Sequence, residues 1–294
     1  MRRLIAPLAA LLLLTAGCAP ARTGTLGPAP AAPTTRTGAT PGSPSPVPST
    51  SRQTPSASAA PSSTASPGPD GTITVQLWFT RDGKLVPTRR TLPATLATSR
   101  AALTELAAGP SLAETATGMT SLIPPGVQVS RIAGHVATLA PPTGFDSGGA
   151  ATVRLRRAQV VWTLTQFPTV RRVAFTSTDT APTGRDDYAD LLPPITVTGP
   201  SIGDRVTSPI TLTGTAEVFE ATVSVRVLDG AGREIGTAFT LATCGSGCRG
   251  DYRVSVRYRR ATAGPGSIEV YEVSARDGSR INVVAIPVIL AASG

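Results

Sequence analysis

An abrupt change in composition near residue 71 decides which part of this chain can fold. Residues 19–70 consist mostly of Pro, Ala, Ser, Thr and Gly, with almost no bulky apolar side chain. Such a stretch buries too little apolar surface to offset the entropy that is lost on ordering. We therefore predict a disordered tether over residues 18–71, semi-extended because of its prolines, with all folded structure following it.

The N-terminus has the features of an export signal. Two arginines precede a short apolar run at residues 4–14, and the small residues Ala16 and Gly17 precede Cys18. The run is too short for a stable membrane span and has the flanks of a signal peptide. Residues 14–18, LTAGC, resemble the lipobox of bacterial lipoproteins, except that Thr15 stands where leucine is usual.

The lipobox resemblance implies a compartment and an anchor. Residues 1–17 are then a signal peptide cleaved after Gly17, and Cys18 carries a diacylglyceryl group and a further fatty acyl chain such as palmitate. Each buried methylene contributes about 0.8 kcal/mol of membrane affinity, so two or three chains anchor firmly. We expect the chain at the extracytoplasmic face of the cell membrane; the alternative is an ordinary signal peptide with a chance cysteine.

Two further cysteines, Cys244 and Cys248, flank a Gly-Ser-Gly segment. Outside the cytoplasm thiols tend to pair, and the glycines let so short a loop bend. A zinc site normally needs four ligands, and His135 is the only histidine. A redox-active pair is the remaining alternative. The pattern favours a structural disulfide.

The formal charge of +9 comes almost wholly from arginine, since Lys84 is the only lysine. A basic exported protein could bind anionic lipid, an acidic partner or a cell-wall polymer, and export makes nucleic acid the weakest candidate. We predict either an anion-binding patch or a merely solvated surface where arginines concentrate: Arg154, Arg156, Arg157, Arg171 and Arg172.

The first folded segment, residues 72–180, alternates between strand and helix patterns. Period-2 alternation predicts a strand from Thr72, and residues 99–108 predict a helix that Gly109 and Pro110 end. A hairpin around Gly134, a helix over residues 150–167 and a strand over residues 170–176 follow, while residues 92–97 are ambiguous. The order β-α-β-β-α-β predicts a small α/β sandwich.

The second predicted helix directs one face into the core of this sandwich. Trp78 and Trp162 are interpreted as core anchors rather than ligand platforms. The inward positions of the helix are Leu155, Ala158, Val161, Trp162 and Thr165.

The remainder of the chain is strand-like. Residues 181–193 are polar and contain prolines, which predicts a linker. Over residues 194–292 we predict seven short strands and hence an all-β immunoglobulin-like sandwich. The predicted strands are residues 195–197, 210–212, 222–228, 234–241, 252–258, 267–275 and 281–290. The fold class is therefore α+β, with two domains after the tether.

Both folded segments resemble known modules. TVQLWF at residues 74–79, ALTELAAGP at 102–110, IPPG at 123–126, GHVATL at 134–139 and QVVWTLTQF at 159–167 are similar to the GerMN domain. ITV at residues 195–197, SPI at 208–210 and GTA at 214–216 are similar to the immunoglobulin-like domain of Gmad type that often follows it. The resemblance implies non-catalytic binding or assembly modules, some of them linked to sporulation or germination.

Catalytic patterns are weak. A Ser-His-Asp arrangement would have to centre on His135, which falls in a hairpin turn. The spacing of a calcium loop is missing from Asp186, Asp187 and Asp190. An acid–base pair could be formed by Glu217 and Glu220, but two glutamates at this spacing occur often by chance. We predict no catalytic residue, no metal and no cofactor.

The leading hypothesis is a membrane-anchored module that binds an envelope protein or a cell-wall polymer. An enzyme acting on cell-wall glycan or peptide, and a ligand-capturing lipoprotein, are the alternatives.

Overall fold

The computed structural model describes residues 71–176 and 181–293. The predicted signal peptide, Gly17, Cys18 and most of the tether lie outside the described residues. The described chain has the predicted α+β composition, with a mixed first domain and an all-β second one. None of its helices has the length and apolarity needed to cross a bilayer.

Over residues 71–176, the structure gives the first domain five strands and three α-helices. In chain order these are β1 (Thr72–Arg81), β2 (Lys84–Pro93), α1 (Thr98–Ala108), α2 (Leu112–Thr115), β3 (Gln128–Ala133), β4 (Val136–Ala140), α3 (Ala150–Leu164) and β5 (Arg172–Phe175). Strands β1 and β2 form an antiparallel hairpin, and β3, β4 and β5 form a second sheet in which β4 and β5 are parallel. Helices α1 and α3 both pack against β1.

Strand β2 corrects the predicted order, which becomes β-β-α-α-β-β-α-β. It pairs with β1 along its whole length, through a turn in which Asp82 and Gly83 have positive φ. The sequence pattern did not predict β2, because Pro87 interrupts its apolar residues and two arginines follow. Interior strands normally avoid proline. Proline is tolerated because β2 is an edge strand of a two-stranded sheet.

Helix α3 and Gln166, two residues after its end, supply the hydrogen bonds that a neighbouring strand would give to β1. Gln159 Nε2 donates to Trp78 O at 2.9 Å, Trp78 N donates to Thr163 Oγ1 at 3.2 Å, and Gln166 bonds both N and O of Gln76 at 2.7 Å. Buried backbone groups need partners, so these polar side chains replace a ladder.

The inward face of α3 therefore differs from the prediction. The helix ends at Leu164 rather than at Phe167, and Leu155 and Thr165 are only half-buried. Gln159 and Thr163 are fully buried, which an apolar periodicity cannot reveal. Ala158, Val161 and Trp162 are buried as predicted.

Residues 181–192 pack on the first domain rather than forming a free connection. Thr183 pairs with Val173 in a β-bridge, and a 3-10 helix follows at Arg185–Leu191. Tyr188 and Leu192 are buried in the first core. Polar composition suggested a solvated linker, but these two large side chains hold the segment against α3.

The second domain is a β-sandwich. Its strands are β6 (Ile195–Gly199), β7 (Arg205–Val206), β8 (Ile210–Ala216), β9 (Thr222–Asp229), β10 (Glu234–Leu241), β11 (Gly250–Val256), β12 (Gly264–Val273) and β13 (Arg280–Leu290). Sheet orders are β10-β9-β12-β13-β7 and β11-β8-β6. All seven predicted strands are present, and the two-residue β7 is additional because it is too short to show a period.

The sandwich core lies between the two sheets. Alternate residues of β8, β9 and β11 point inward, as the burial of Leu212, Val225 and Val254 shows. Each such side chain contributes about 1.5–3 kcal/mol when it leaves water. Ile202 packs against both this core and the first one, so apolar contact continues from one domain to the other.

Candidate functional site: a cleft between the two domains

A cleft of about 690 Å³ lies between the two domains. The first domain lines it with β1, α3 and the 3-10 helix, and the second domain lines it with β6, β8, β11 and the segment between β10 and β11. Ligand sites of proteins are commonly about 300–1,000 Å³ and lie at domain boundaries. Neither domain forms this cleft alone.

Two tryptophans line the first-domain side. Trp78 of β1 and Trp162 of α3 have ring centroids 4.6 Å apart. Both residues are buried, with 3% of Trp78 and 9% of Trp162 exposed. Within the described chain, neither indole N–H has a hydrogen-bond acceptor. They are core anchors, as predicted, and they also line the cleft.

Arg185 lies over Trp162 of this pair. Its guanidinium carbon lies 4.6 Å from the Trp162 ring centroid, and its Nε donates to Thr165 Oγ1 at 2.8 Å. No carboxylate of the described residues forms an ion pair with it. Burial lowers the pKa of the Arg185 guanidinium, because a buried cation loses hydration.

Arg249 contributes a second cation from the sandwich. It donates to Pro193 O at 2.6 Å and to Thr215 Oγ1 at 3.2 Å. Burial lowers the pKa of Arg249, and the charge of Glu217 opposes that shift. The residue follows directly on a disulfide between Cys244 and Cys248, whose Cα atoms are 5.7 Å apart, so a closed loop fixes its position.

The remaining lining residues are mostly polar. Arg253 and Asp251 lie exposed on β11, so the cleft holds three arginines against one carboxylate. Hydroxyl and amide groups come from Gln76, Thr198, Thr213, Thr215 and Thr243. Chemically the site offers cationic and neutral hydrogen-bond donors to a ligand rich in oxygen.

The predicted arginine patch is occupied largely by contacts within the chain. Arg154 binds both carboxylate oxygens of Asp190, at 2.7 and 2.8 Å, and Arg157 binds Asp146 Oδ1 at 2.7 Å. Arg156 donates to backbone carbonyls, including Leu122 O at 2.8 Å.

The other two arginines of this patch are at the start of β5. Arg172 donates to Pro182 O at 3.2 Å, and Arg171 is exposed. Anion binding at these five residues stays a prediction.

Other candidate residues are dispersed. His135 is exposed in the β3–β4 turn with φ of 61°, and its carbonyl accepts from Arg171 N and Arg172 N. Asp187 Oδ2 accepts from Gly184 N at 2.7 Å, which caps the 3-10 helix. In the described ranges no group of three or more His, Cys, Asp or Glu is placed to hold a metal.

Sequence reasoning did not select the cleft. Arg185 falls in the segment interpreted as linker, and Arg249 and Arg253 are isolated arginines in a strand-rich stretch. The disulfide next to Arg249 was the one available signal, because it marks a loop held in a fixed shape.

A second, smaller cavity of about 210 Å³ also lies between the domains. It is lined mainly by apolar residues such as Leu85, Pro87 and Ile286, and Lys84 beside it donates to Asp190 O at 2.8 Å. Thr196 Oγ1 is buried there and has no partner among the described atoms. The cavity marks incomplete packing between the domains.

Comparison with known proteins gives two matches, one for each domain of the structure. Residues 53–180 match the family model for sporulation and spore germination, and residues 194–279 match the immunoglobulin-like domain of bacterial spore germination. No curated protein matches the chain.

Solved structures give similar but distant matches. The tandem GerMN domains of the sporulation protein GerM from Bacillus subtilis are 13% identical, with a TM-score of 0.35; the match covers 76% of this chain and 62% of that one. The first GerMN domain of the same protein is 23% identical over 35% of this chain and 80% of that one, with a TM-score of 0.30. CopC from Methylosinus trichosporium OB3b is 14% identical over 34% and 96% of the two chains, with a TM-score of 0.22.

Proposed function

Because the chain consists of a GerMN domain followed by the Gmad-type immunoglobulin-like domain of spore-germination proteins, we propose that it is a non-catalytic interaction module of the bacterial cell envelope. In this proposal Cys18 carries the lipid anchor and residues 18–71 are the tether. The two domains then act together, at a distance from the membrane, on an envelope protein or a cell-wall polymer.

The observation that carries the proposal is the shared surface of the two domains. Strand β2 of the first domain packs against β6 of the sandwich. Arg249 of the sandwich donates to Pro193 O at 2.6 Å, directly after the segment that packs on the first domain. Arg89 of β2 lies so close to Gly199 of β6 that a Cβ on the glycine would be 2.5 Å from the guanidinium. These contacts support a role in which the pair of domains presents one binding surface.

The compartment is supported by the sequence of the N-terminus and by the disulfide. A Cys244–Cys248 disulfide is expected where thiols are oxidised, as they are outside the cytoplasm. The family match to sporulation and spore germination supports an envelope process of that kind as the setting.

Cell fractionation tests the anchor. We expect the wild-type chain in the membrane fraction, released by detergent and not by high salt, because acyl chains and not charges hold it. The Cys18→Ala variant should lose this partition, whereas Cys248→Ala, which also removes one cysteine, should keep it. Salt-released wild type, or an unchanged partition of Cys18→Ala, would refute the lipid anchor.

A further inference from the structure

The cleft between the domains holds more positive charge than its own residues neutralise. Arg185, Arg249 and Arg253 line it, and the carboxylate that lines it with them is Asp251. None of the three arginines forms an ion pair with a carboxylate of the described residues. A partly buried cation without a counter-ion is costly, so this arrangement is stabilised when an anion enters.

The position of Arg185 is fixed before any ligand arrives. Its Nε donates to Thr165 Oγ1, and its guanidinium carbon lies 4.6 Å from the centroid of the Trp162 ring. Arg249 is likewise held, by Pro193 O and by Thr215. Pre-organised donors lose little side-chain entropy on binding, which favours affinity. Arg253 is exposed, with no side-chain hydrogen bond or ion pair within the described residues, and so remains free to contact a ligand.

The neutral groups of the cleft indicate what carries the anion. Threonine hydroxyls and the Gln76 amide line its walls, and Thr198 Oγ1 and Thr213 Oγ1 lie 3.1 Å apart. Such groups bind hydroxyls through both donor and acceptor bonds. The two tryptophans that line the cleft have buried indole N–H groups, which lack acceptors in the described chain.

We infer that this cleft binds an oxyanion, a phosphate or a carboxylate, on a small hydroxyl-rich molecule such as a polyol or a sugar. Guanidinium groups match the geometry of both anions. The inference goes beyond the proposed envelope role, and it does not depend on whether Cys18 is lipidated. Sugar phosphates, polyol phosphates and uronic acids all have this chemistry.

Tryptophan emission gives a direct test, because the chain has two tryptophans and both line the cleft. The purified full-length chain is titrated with glycerol 3-phosphate and, separately, with glucuronate. Glycerol and glucose are the neutral controls. We expect a saturable change in emission with at least one anion and none with the neutral probes. The anion that binds identifies phosphate or carboxylate as the preferred group.

Charge-matched variants locate the binding. Arg253→Gln should weaken binding by about tenfold or more, the loss expected for one charge-assisted hydrogen bond. Arg185→Gln should weaken binding to the same extent, and a cooperative thermal unfolding transition checks that this variant is folded. Arg276→Gln is the control, since its side chain is 91% exposed and lies outside the cleft. It should bind as wild type does.

Calorimetry on the same samples completes the test. Heat of binding with no change in emission would place the anion elsewhere and overturn the inference. So would the absence of saturable binding by either anion, an equal response to the neutral probes, or wild-type affinity in Arg253→Gln. Because Arg253 is exposed, a loss of binding in Arg253→Gln would reflect the missing guanidinium and not misfolding.

Discussion

Replacing Glu114 by alanine is expected to destabilise the first domain by about 3–5 kcal/mol, the cost of breaking a buried ion pair. Glu114 of α2 is 1% exposed, and its carboxylate binds Arg90 of β2, with Arg90 Nη1 2.8 Å from Glu114 Oε1. Thr88 Oγ1 also donates to it, as does Ser111 N at 2.7 Å. The substitution removes all of these bonds and leaves Arg90 without its counter-ion.

Chemical denaturation followed by circular dichroism measures this loss. Glu217→Ala is the matched control, because it removes the same charge from an exposed side chain that forms no ion pair in the described chain. It should change the free energy of unfolding by less than about 0.5 kcal/mol. Equal effects of the two substitutions would show that Glu114 is not the buried link between α2 and β2.

The same carboxylate makes stability depend on acid. Burial opposes ionisation of Glu114, but the hydrogen bonds from Arg90, Thr88 and Ser111 N outweigh it and lower its pKa from 4.5 to about 2. An acid with a lowered folded-state pKa stabilises the fold above its unfolded pKa, and this stabilisation is lost as pH falls from about 4.5 towards 2. We expect a loss of about 2 kcal/mol over that range, reduced in Glu114→Ala.

Gln159→Leu is expected to cost about 3 kcal/mol, although it places an apolar side chain at a fully buried position. Gln159 Nε2 donates to Trp78 O, and Gln159 Oε1 accepts from Leu122 N at 2.9 Å. Leucine fills the space and leaves two buried backbone groups without partners, each at a cost of about 1–3 kcal/mol. The loss should appear as a lower midpoint of thermal unfolding.

Gln128→Leu is the control for this substitution. Gln128 is exposed on β3, so the same change there should leave the midpoint within a degree or two. A Gln159→Leu variant as stable as wild type would mean that α3 does not complete the hydrogen bonding of β1. Because Gln159 holds the backbone of Trp78, which packs against Trp162, tryptophan emission should also change in Gln159→Leu.

Local pattern was informative where burial alternates. The strands of the sandwich were predictable because residues such as Val223, Val225 and Val227 alternate with polar ones. Helix α1 was predictable from Leu103, Leu106 and the Gly109 that follows it. In these elements one face meets the core and the other meets water, and the sequence records that directly.

The hydrophobic pattern did not predict elements whose buried residues are polar and are held by contacts distant in sequence. Strand β2 has arginines where apolar residues would be expected, because Arg90 pairs with a buried Glu114. The buried face of α3 includes Gln159 and Thr163, whose partner on β1, Trp78, is 80 or more residues away in sequence. No local window contains that partner, so no local rule could have assigned these residues to the interior.

The cleft was hidden for the same reason. Its arginines come from residues 185, 249 and 253, and they meet only because the two domains pack together. Tyr188 and Leu192 bring the segment that holds Arg185 onto the first core. A single arginine in a polar stretch does not indicate a binding site. For Arg249 the sequence offered one indication, the neighbouring disulfide, which closes a short loop beside it.

Mass spectrometry of the N-terminal peptide, from protein purified out of membranes, tests the central claim of the proposed function most directly. We predict a peptide that begins at Cys18 and carries a diacylglyceryl group, together with label when cells grow on a palmitate analogue. A chain that still begins at Met1, or one that begins at Cys18 without lipid, would contradict the proposal of a membrane-anchored envelope module.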